Sequence, residues 1–254
     1  MAYQTSKRLV YSCPVSLFRR LSTLPASRLY HSAAHSQPPP FSATESAILS
    51  AALRHVPTQG FTQNALTQGA RDAGYLDVST NLFPRGVFDL VYYHLVSQRL
   101  GLRNRISFQE EEGKRLSLGN KVRDLIWARL QANAKAGIIG RWSEALALMA
   151  QPTYLPASLH ELSLLADEIW YLAGDKDVTF AWYTKRGSLS AVFASTELFM
   201  TQDKSPGFLD TQKFLDRRLR EVQSAGSAIG SIREWVGFST GATVNVLRSK
   251  GIRI

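Results

Sequence analysis

The sequence predicts an all-α helical bundle, and three observations carry that reading. Apolar side chains recur at intervals of three and four along most of the chain, which puts them on one face of a helix. Gly and Pro fall between the periodic runs, where they turn or end a helix. Strand-like alternation of apolar and polar residues is hard to find after residue 41. A chain of 254 residues with 44% apolar content can bury a sizeable core, as one domain or at most two small ones. No apolar run approaches the roughly 18 to 20 residues that a membrane-spanning helix needs, so the expected membrane contact is peripheral.

Residues 1–40 form the first unit. They hold Lys7, Arg8, Arg19, Arg20 and Arg28, no Asp or Glu, and many Ser, which is the composition of a mitochondrial transit peptide. Arg28-Leu29-Tyr30 before His31-Ser32 resembles a processing site, and Gln37-Pro38-Pro39-Pro40 reads as a stiff extended spacer. Setting the segment aside lowers the formal charge from +10 to +5, because 25 basic residues then face 20 acidic ones. The single cysteine, Cys13, goes with it, so the remainder offers no disulfide, thiolate nucleophile or thiolate metal ligand.

Residues 41–100 read as a helix-turn-helix-like part. Ala47, Ile48, Ala51, Ala52 and Val56 share a face, with Thr44 as the expected cap and Pro57 and Gly60 as the expected stop. Phe61, Ala65, Leu66, Gly69, Ala70 and Tyr75 predict a second helix and a tight turn, followed by a third piece through Val78, Leu82 and Phe83. The run ILSAALRHVPTQGFTQNALTQGARDAGY resembles the N-terminal domain of tetracycline-type repressors. DNA binding needs clustered cations against phosphate. Between Thr58 and Pro84 the single basic residue, Arg71, stands against Asp72 and Asp77, so a degenerate scaffold that takes no nucleic acid is expected.

Val87, Leu90, Val91, His94, Leu95 and Gln98 form the next amphipathic face. His94 has no partner spaced to complete a metal site and is expected to be a hydrogen-bonded core residue. Residues 101–222 continue as helices. Glu110, Glu111 and Glu112 with Lys114 and Arg115 read as a solvated face. Val122, Leu125, Ile126, Arg129, Leu130 and Asn133 mark a helix closed by Gly137 and Gly140, and Trp142 to Met149 a short one ended by Pro152. After the connector Tyr154-Leu155-Pro156, a long helix is expected from Ser158.

Catalytic constellations are missing. None of His55, His94 and His160 follows a Glu by three positions, as a di-iron bundle requires. There is no G-x-S-x-G elbow, G-x-x-x-x-G-K-[ST] loop or G-x-G-x-x-G turn. Asp167 and Glu168, as helix neighbours, point about 100° apart, which suits capping or surface pairing better than a two-carboxylate mechanism. No catalytic residue, metal or cofactor is expected.

The rest of the chain is organised around residues 165–220, three helical patterns separated by AGDKDVT and QDKSP. Leu189, Val192, Phe193, Thr196, Phe199 and Met200 recur on one wide apolar face, joined by Leu164, Ile169 and Trp170 from the preceding helix. Periodicity establishes only burial, so on spacing alone a lipid-holding face and an ordinary core are both open. Trp182, Tyr183, Lys185 and Arg186 open the helix with two aromatics and two cations, a combination suited to the edge of an apolar pocket. Arg186 fits either of two roles: a guanidinium fork on a lipid phosphate, or an ion pair with Asp175, Asp177 or Glu197.

The segments DEIWYLAGD, FAWYTKR and STELFMTQDKSPGFLDTQKFLDRRL resemble the signature region of the mitochondrial lipid-binding proteins that assist coenzyme Q (ubiquinone) biosynthesis. The resemblance extends from about Ala43 to the C-terminus. It implies a tetracycline-repressor-like bundle turned to lipid presentation, with Leu164, Trp170, Leu189, Val192, Phe193, Thr196, Phe199 and Met200 at the lipid and Arg186 at the mouth. It also implies an aromatic patch at Trp182 and Tyr183 that docks a partner enzyme, the di-iron demethoxyubiquinone hydroxylase. Ile169 stands at a neighbouring patch position where the resemblance implies Met. The implied ligands are ubiquinone precursors and phospholipid, the implied assembly is a homodimer working with other coenzyme Q biosynthesis proteins, and the implied place is the matrix side of the inner membrane.

Residues 223–254 differ in composition. Ile229, Ile232, Trp235, Val236, Val244 and Leu247 lie among Gly, Ser and a few cations, which suits an amphipathic segment that associates with a lipid interface. Its glycines make it a weak helix in water. The expected function is therefore lipid-binding accessory work in ubiquinone biosynthesis. A ligand-responsive DNA regulator is the alternative, and an enzyme with an unrecognised site the third.

Overall fold

The computed structural model describes residues 40–106, 117–175 and 181–224, with the backbone alone for 181 and 182. Within them the fold is all-α, and no strand occurs. The helices are α1 Ala43–Leu53, α2 Val56–Gln59, α3 Gln63–Asp72, α4 Val87–Leu100, α5 Leu102–Arg105, α6 Leu118–Lys135, α7 Trp142–Met149, α8 Leu155–Ala173, α9 Ala181–Met200 and α10 over 209–224. The transit-peptide reading, the 110–115 charge run, Asp177 and the residues from Ile229 to Leu247 lie outside the described residues.

Local chemistry sets the helix ends, at three places differently from the expectation. The cap of α1 is Ser42, not Thr44: its hydroxyl accepts from the Glu45 N–H at 3.3 Å while the Glu45 carboxylate accepts from the Ser42 N–H at 2.7 Å. This reciprocal pair satisfies two otherwise orphan donors. Pro57 does not stop α1 but sits in the first turn of α2, where its missing N–H costs nothing. Pro156 does the same for α8, which begins at Leu155 and not at Ser158.

α1 and α3 cross so closely that a Cβ on Gly69 would fall 2.5 Å from the Ala52 backbone, so glycine is required there for contact. The third piece of the helix-turn-helix-like part is a 3-10 turn, Asp77–Leu82, that leaves Leu76, Val78 and Leu82 exposed.

Two apolar cores result. The first joins Ile48, Leu49, Ala52, Leu66, Leu90 and Val91 to Ile138, Trp142 and Ala145, so α7 returns to the N-terminal helices although it lies within 101–222. Phe61 meets the Trp142 ring edge-on at 5.9 Å, and its N–H donates to Glu144 at 3.0 Å. The second core gathers Leu125, Ile126 and Leu130 of α6, Leu165 and Ile169 of α8, Leu189, Val192, Phe193 and Met200 of α9, and Leu215 of α10. α4 touches α1, α6, α7 and α8 and so spans both cores. The guanidinium of Arg123 forks onto Asp216 and ties α10 to α6.

Candidate functional site

α9 turns Leu189, Val192, Phe193 and Met200 inward, all buried in the second core, with Trp170 of α8 half-buried against it, whereas Leu164, also half-buried, is not among the side chains packed on that core. Thr196 is buried on the same face, and its hydroxyl donates to the Val192 carbonyl at 2.7 Å, one turn back on its own helix. Phe199 departs from the predicted face. It is 37% exposed and stacks on Phe214 of α10 with centroids 4.6 Å apart and planes 9° apart. Successive helix residues point about 100° apart, and Met200 takes the inward position.

The opening turns of α9 form a rim of ion pairs. Arg186 Nε donates to Asp167 Oδ1 at 2.6 Å, so a carboxylate of α8 outside the three expected candidates is among its partners. Lys185 Nζ lies 3.2 Å from Asp175 and 5.5 Å from the Trp170 ring centre, and the Trp170 indole N–H donates to the Lys185 carbonyl at 3.2 Å. Asp167 and Glu168, expected at the surface, are mostly buried. Glu168 faces Arg103 at 3.9 Å.

Tyr183 is 69% exposed. Ile169 is not on that surface: it is fully buried, on the inward face it shares with Leu165 and Ala173 one turn away on either side. Of Trp182, α9 fixes only the backbone position.

The interior holds a polar cluster that the motif search missed. Asn133 Oδ1 accepts from Arg129 Nη1 at 2.9 Å and lies 2.9 Å from His94 Nε2, while Asn133 Nδ2 donates to Glu197 Oε1 at 3.0 Å. An amide oxygen can only accept, so Nε2 carries the imidazole proton and Nδ1 presents a lone pair. His94 meets Trp142 edge-on at 5.2 Å, and the Arg129 guanidinium lies 5.7 Å over Phe193.

His94, Arg129, Asn133 and Trp142 are essentially inaccessible and Glu197 nearly so. Burial holds the His94 imidazole down to about 3, lowers the Arg129 guanidinium and raises the Glu197 carboxyl, since each pays to keep its charge away from water. Nearby Arg129 lowers His94 further, whereas Arg129 and Glu197 favour each other's charge. Three buried polar atoms of His94 and Arg129 have no hydrogen-bond partner among the described residues, His94 Nδ1, Arg129 Nε and Arg129 Nη2, while the Trp142 indole N–H favours the charged form of Glu197. Arg129 and Asn133 fall at core positions of α6 beside Leu125, Ile126 and Leu130, and that polar interruption of an apolar face was the signal available in the sequence.

Among the described residues no group of three or more His, Cys, Asp or Glu is placed to hold a metal ion, and no helix is long and apolar enough to cross a membrane.

These features define an all-α bundle with an ion-paired rim above an apolar interior that carries one polar cluster. The COQ9 family profile matches residues 155–226, the stretch that holds α8, α9 and α10. The "Ubiquinone biosynthesis protein coq9, mitochondrial" of Schizosaccharomyces pombe is 38% identical over 205 residues, covering 81% of this chain and 80% of that protein. The Drosophila melanogaster relative of like name is 37% identical over 176 residues, 69% of this chain and 54% of its own length. The human relative is 34% identical over 194 residues, 73% and 59%. The chain thus matches most of the fission-yeast protein and little more than half of the fly and human ones, and it belongs to the COQ9 family.

Proposed function

We propose that this chain is a non-enzymatic, lipid-binding accessory protein of ubiquinone biosynthesis. It takes an isoprenoid quinone intermediate at the matrix face of the mitochondrial inner membrane and presents it, as a homodimer, to the di-iron demethoxyubiquinone hydroxylase. Kinship carries the reading: the relatives are named as mitochondrial ubiquinone biosynthesis proteins, and the family match falls on the helices that form the rim and the apolar face. An isoprenoid tail gains roughly 25 cal/mol for each Å² removed from water, which is the chemistry that the α9 side chains Leu189, Val192, Phe193 and Met200 offer. Exposed Tyr183, beside Trp182 in sequence, supplies the aromatic anchor for the partner.

The DNA-regulator reading gains nothing from the structure. Arg71 is engaged by Asp77 through both Nε and Nη2, at 2.7 and 2.6 Å, and the cleft of about 480 Å³ beside α3 is otherwise lined by Gln59, Thr62, Asn64, Thr67 and Gln68, which carry no charge. Denaturing extraction of the purified full chain followed by mass spectrometry tests the proposal. It should recover an isoprenoid lipid in near-stoichiometric amount. Lipid-free protein after expression in a ubiquinone-producing host would overturn it.

A further inference from the structure

The apolar face of α9 is closed in this structure. Leu189, Val192, Phe193 and Met200 are no more than 4% exposed and pack between α6, α8 and α10. A long apolar ligand reaches those side chains only if one of the three walls moves, and the walls are not held alike. Among the described residues α6 and α8 each bury four apolar side chains in this core, whereas α10 buries Leu215, with Leu219 and Val222 only partly covered. The free energy of apolar contact follows the area removed from water, so α10 is the wall that takes least to lift.

Two polar ties hold α10 in place. Where it leaves α9, the Asp203 carboxylate accepts from the Ser205 N–H at 2.7 Å, from the Thr211 N–H at 2.9 Å and from the Thr211 hydroxyl at 2.5 Å. Halfway along the helix, Asp216 accepts from the Arg123 guanidinium of α6, with Nη2 at 3.1 Å, and the two side chains are 30% and 35% exposed. Ties that reach solvent break at small net cost, because water takes over both partners. Between Asp203 and Thr211 the chain bends at Gly207 and Phe208, whose φ angles are +67° and +59°. Positive φ suits glycine and strains a bulky aromatic, so the Phe208 backbone is held where its neighbours put it. We propose that α10 is the lid of the lipid site: it swings about Gly207 and Phe208, with Asp203–Thr211 and Asp216–Arg123 as its latches, and so admits an isoprenoid tail to the α9 face. The inference rests on the lipid-carrier reading above. A closed state that outweighs the open one makes opening the limit on uptake, and a weaker latch speeds uptake without touching the side chains that hold the lipid.

Stopped-flow quenching of tryptophan fluorescence by a one-isoprene ubiquinone tests this on the full chain, since Trp170 packs against the same core. In the wild type the uptake rate should level off as the probe concentration rises. Asp216→Asn and Asp203→Asn should each raise that plateau about fivefold, as expected for the loss of one solvent-exposed charged tie. In a Cys13→Ser chain, Arg123→Cys with Asp216→Cys joined by a short bismaleimide should take up no probe, while the same chain before joining should match Asp216→Asn. Uptake by the joined protein at the unjoined rate, latch variants no faster than the wild type, or a wild-type rate that climbs in proportion to concentration without a plateau each overturns the lid and leaves the carrier reading standing. No quenching of the wild type at any concentration overturns both. Should the cysteine variant fail to fold, the two single substitutions decide alone.

Discussion

The two polar regions of α9 differ in what they leave unanswered. At the rim, Arg186 and Lys185 meet Asp167 and Asp175, and the Trp170 indole has its acceptor. About 16 Å further along the helix, at 1.5 Å per residue from 186 to 197, Arg129 keeps two N–H groups without a hydrogen-bond partner among the described residues. A charged side chain at a pocket mouth looks functional in a sequence because its type is conspicuous, yet at this rim the charges complete one another. The interior cluster is less conspicuous and more expensive to bury.

The comparison predicts a graded response to mutation. The largest effect belongs to Glu197→Leu, which strips the buried Arg129 of its compensating charge and should cost about 3 to 5 kcal/mol in urea denaturation. A smaller loss there than at the rim would break the contrast.

Next comes acid. His94 is held at about 3 in the folded protein against 6.5 when unfolded, so between those values the unfolded chain takes up a proton that the folded chain refuses. Its contribution to stability is whole above pH 6.5 and falls on acidification by up to about 1.4 kcal/mol per pH unit, or about 2 kcal/mol by pH 5. Glu161 and Glu197, raised by burial, act in the opposite sense, because the folded state then protonates before the unfolded one. The difference between wild type and His94→Phe isolates the histidine, and parallel pH profiles for the two proteins would refute the assignment.

At the rim, Asp167→Asn removes the carboxylate from Arg186 and should cost about 1 to 2 kcal/mol, with most of the loss recovered when Arg186→Met is added. Smallest of all in stability is Tyr183→Lys, which should leave the melting temperature unchanged while abolishing capture by the hydroxylase. A large drop in melting temperature would instead reveal a packing role for the exposed ring.

How far these features could be read from residues alone depended on their reach along the chain. Helix positions rest on local periodicity, and the apolar face of α9 was legible from Leu189, Val192 and Phe193. The cap at Ser42 was equally local, since Ser three residues before Glu45 is a capping-box spacing. Phe199 shows the limit of that method, because a residue adjacent to Met200 cannot share its direction. Ile169 carried two readings, the apolar face and, by resemblance, the docking patch, and the one-turn relation to Leu165 and Ala173 puts it inside. The interior cluster needed pairings that no window contains: His94 with Asn133 across 39 positions and Asn133 with Glu197 across 64. Only the polar interruption of α6 at Arg129 and Asn133 announced it.

A crystal structure of the full chain grown with a one-isoprene ubiquinol tests most directly whether the apolar face of α9 holds a lipid. We expect the isoprenoid tail against Leu189, Val192 and Phe193. No ligand along α9, with those side chains closed on one another, would contradict the account.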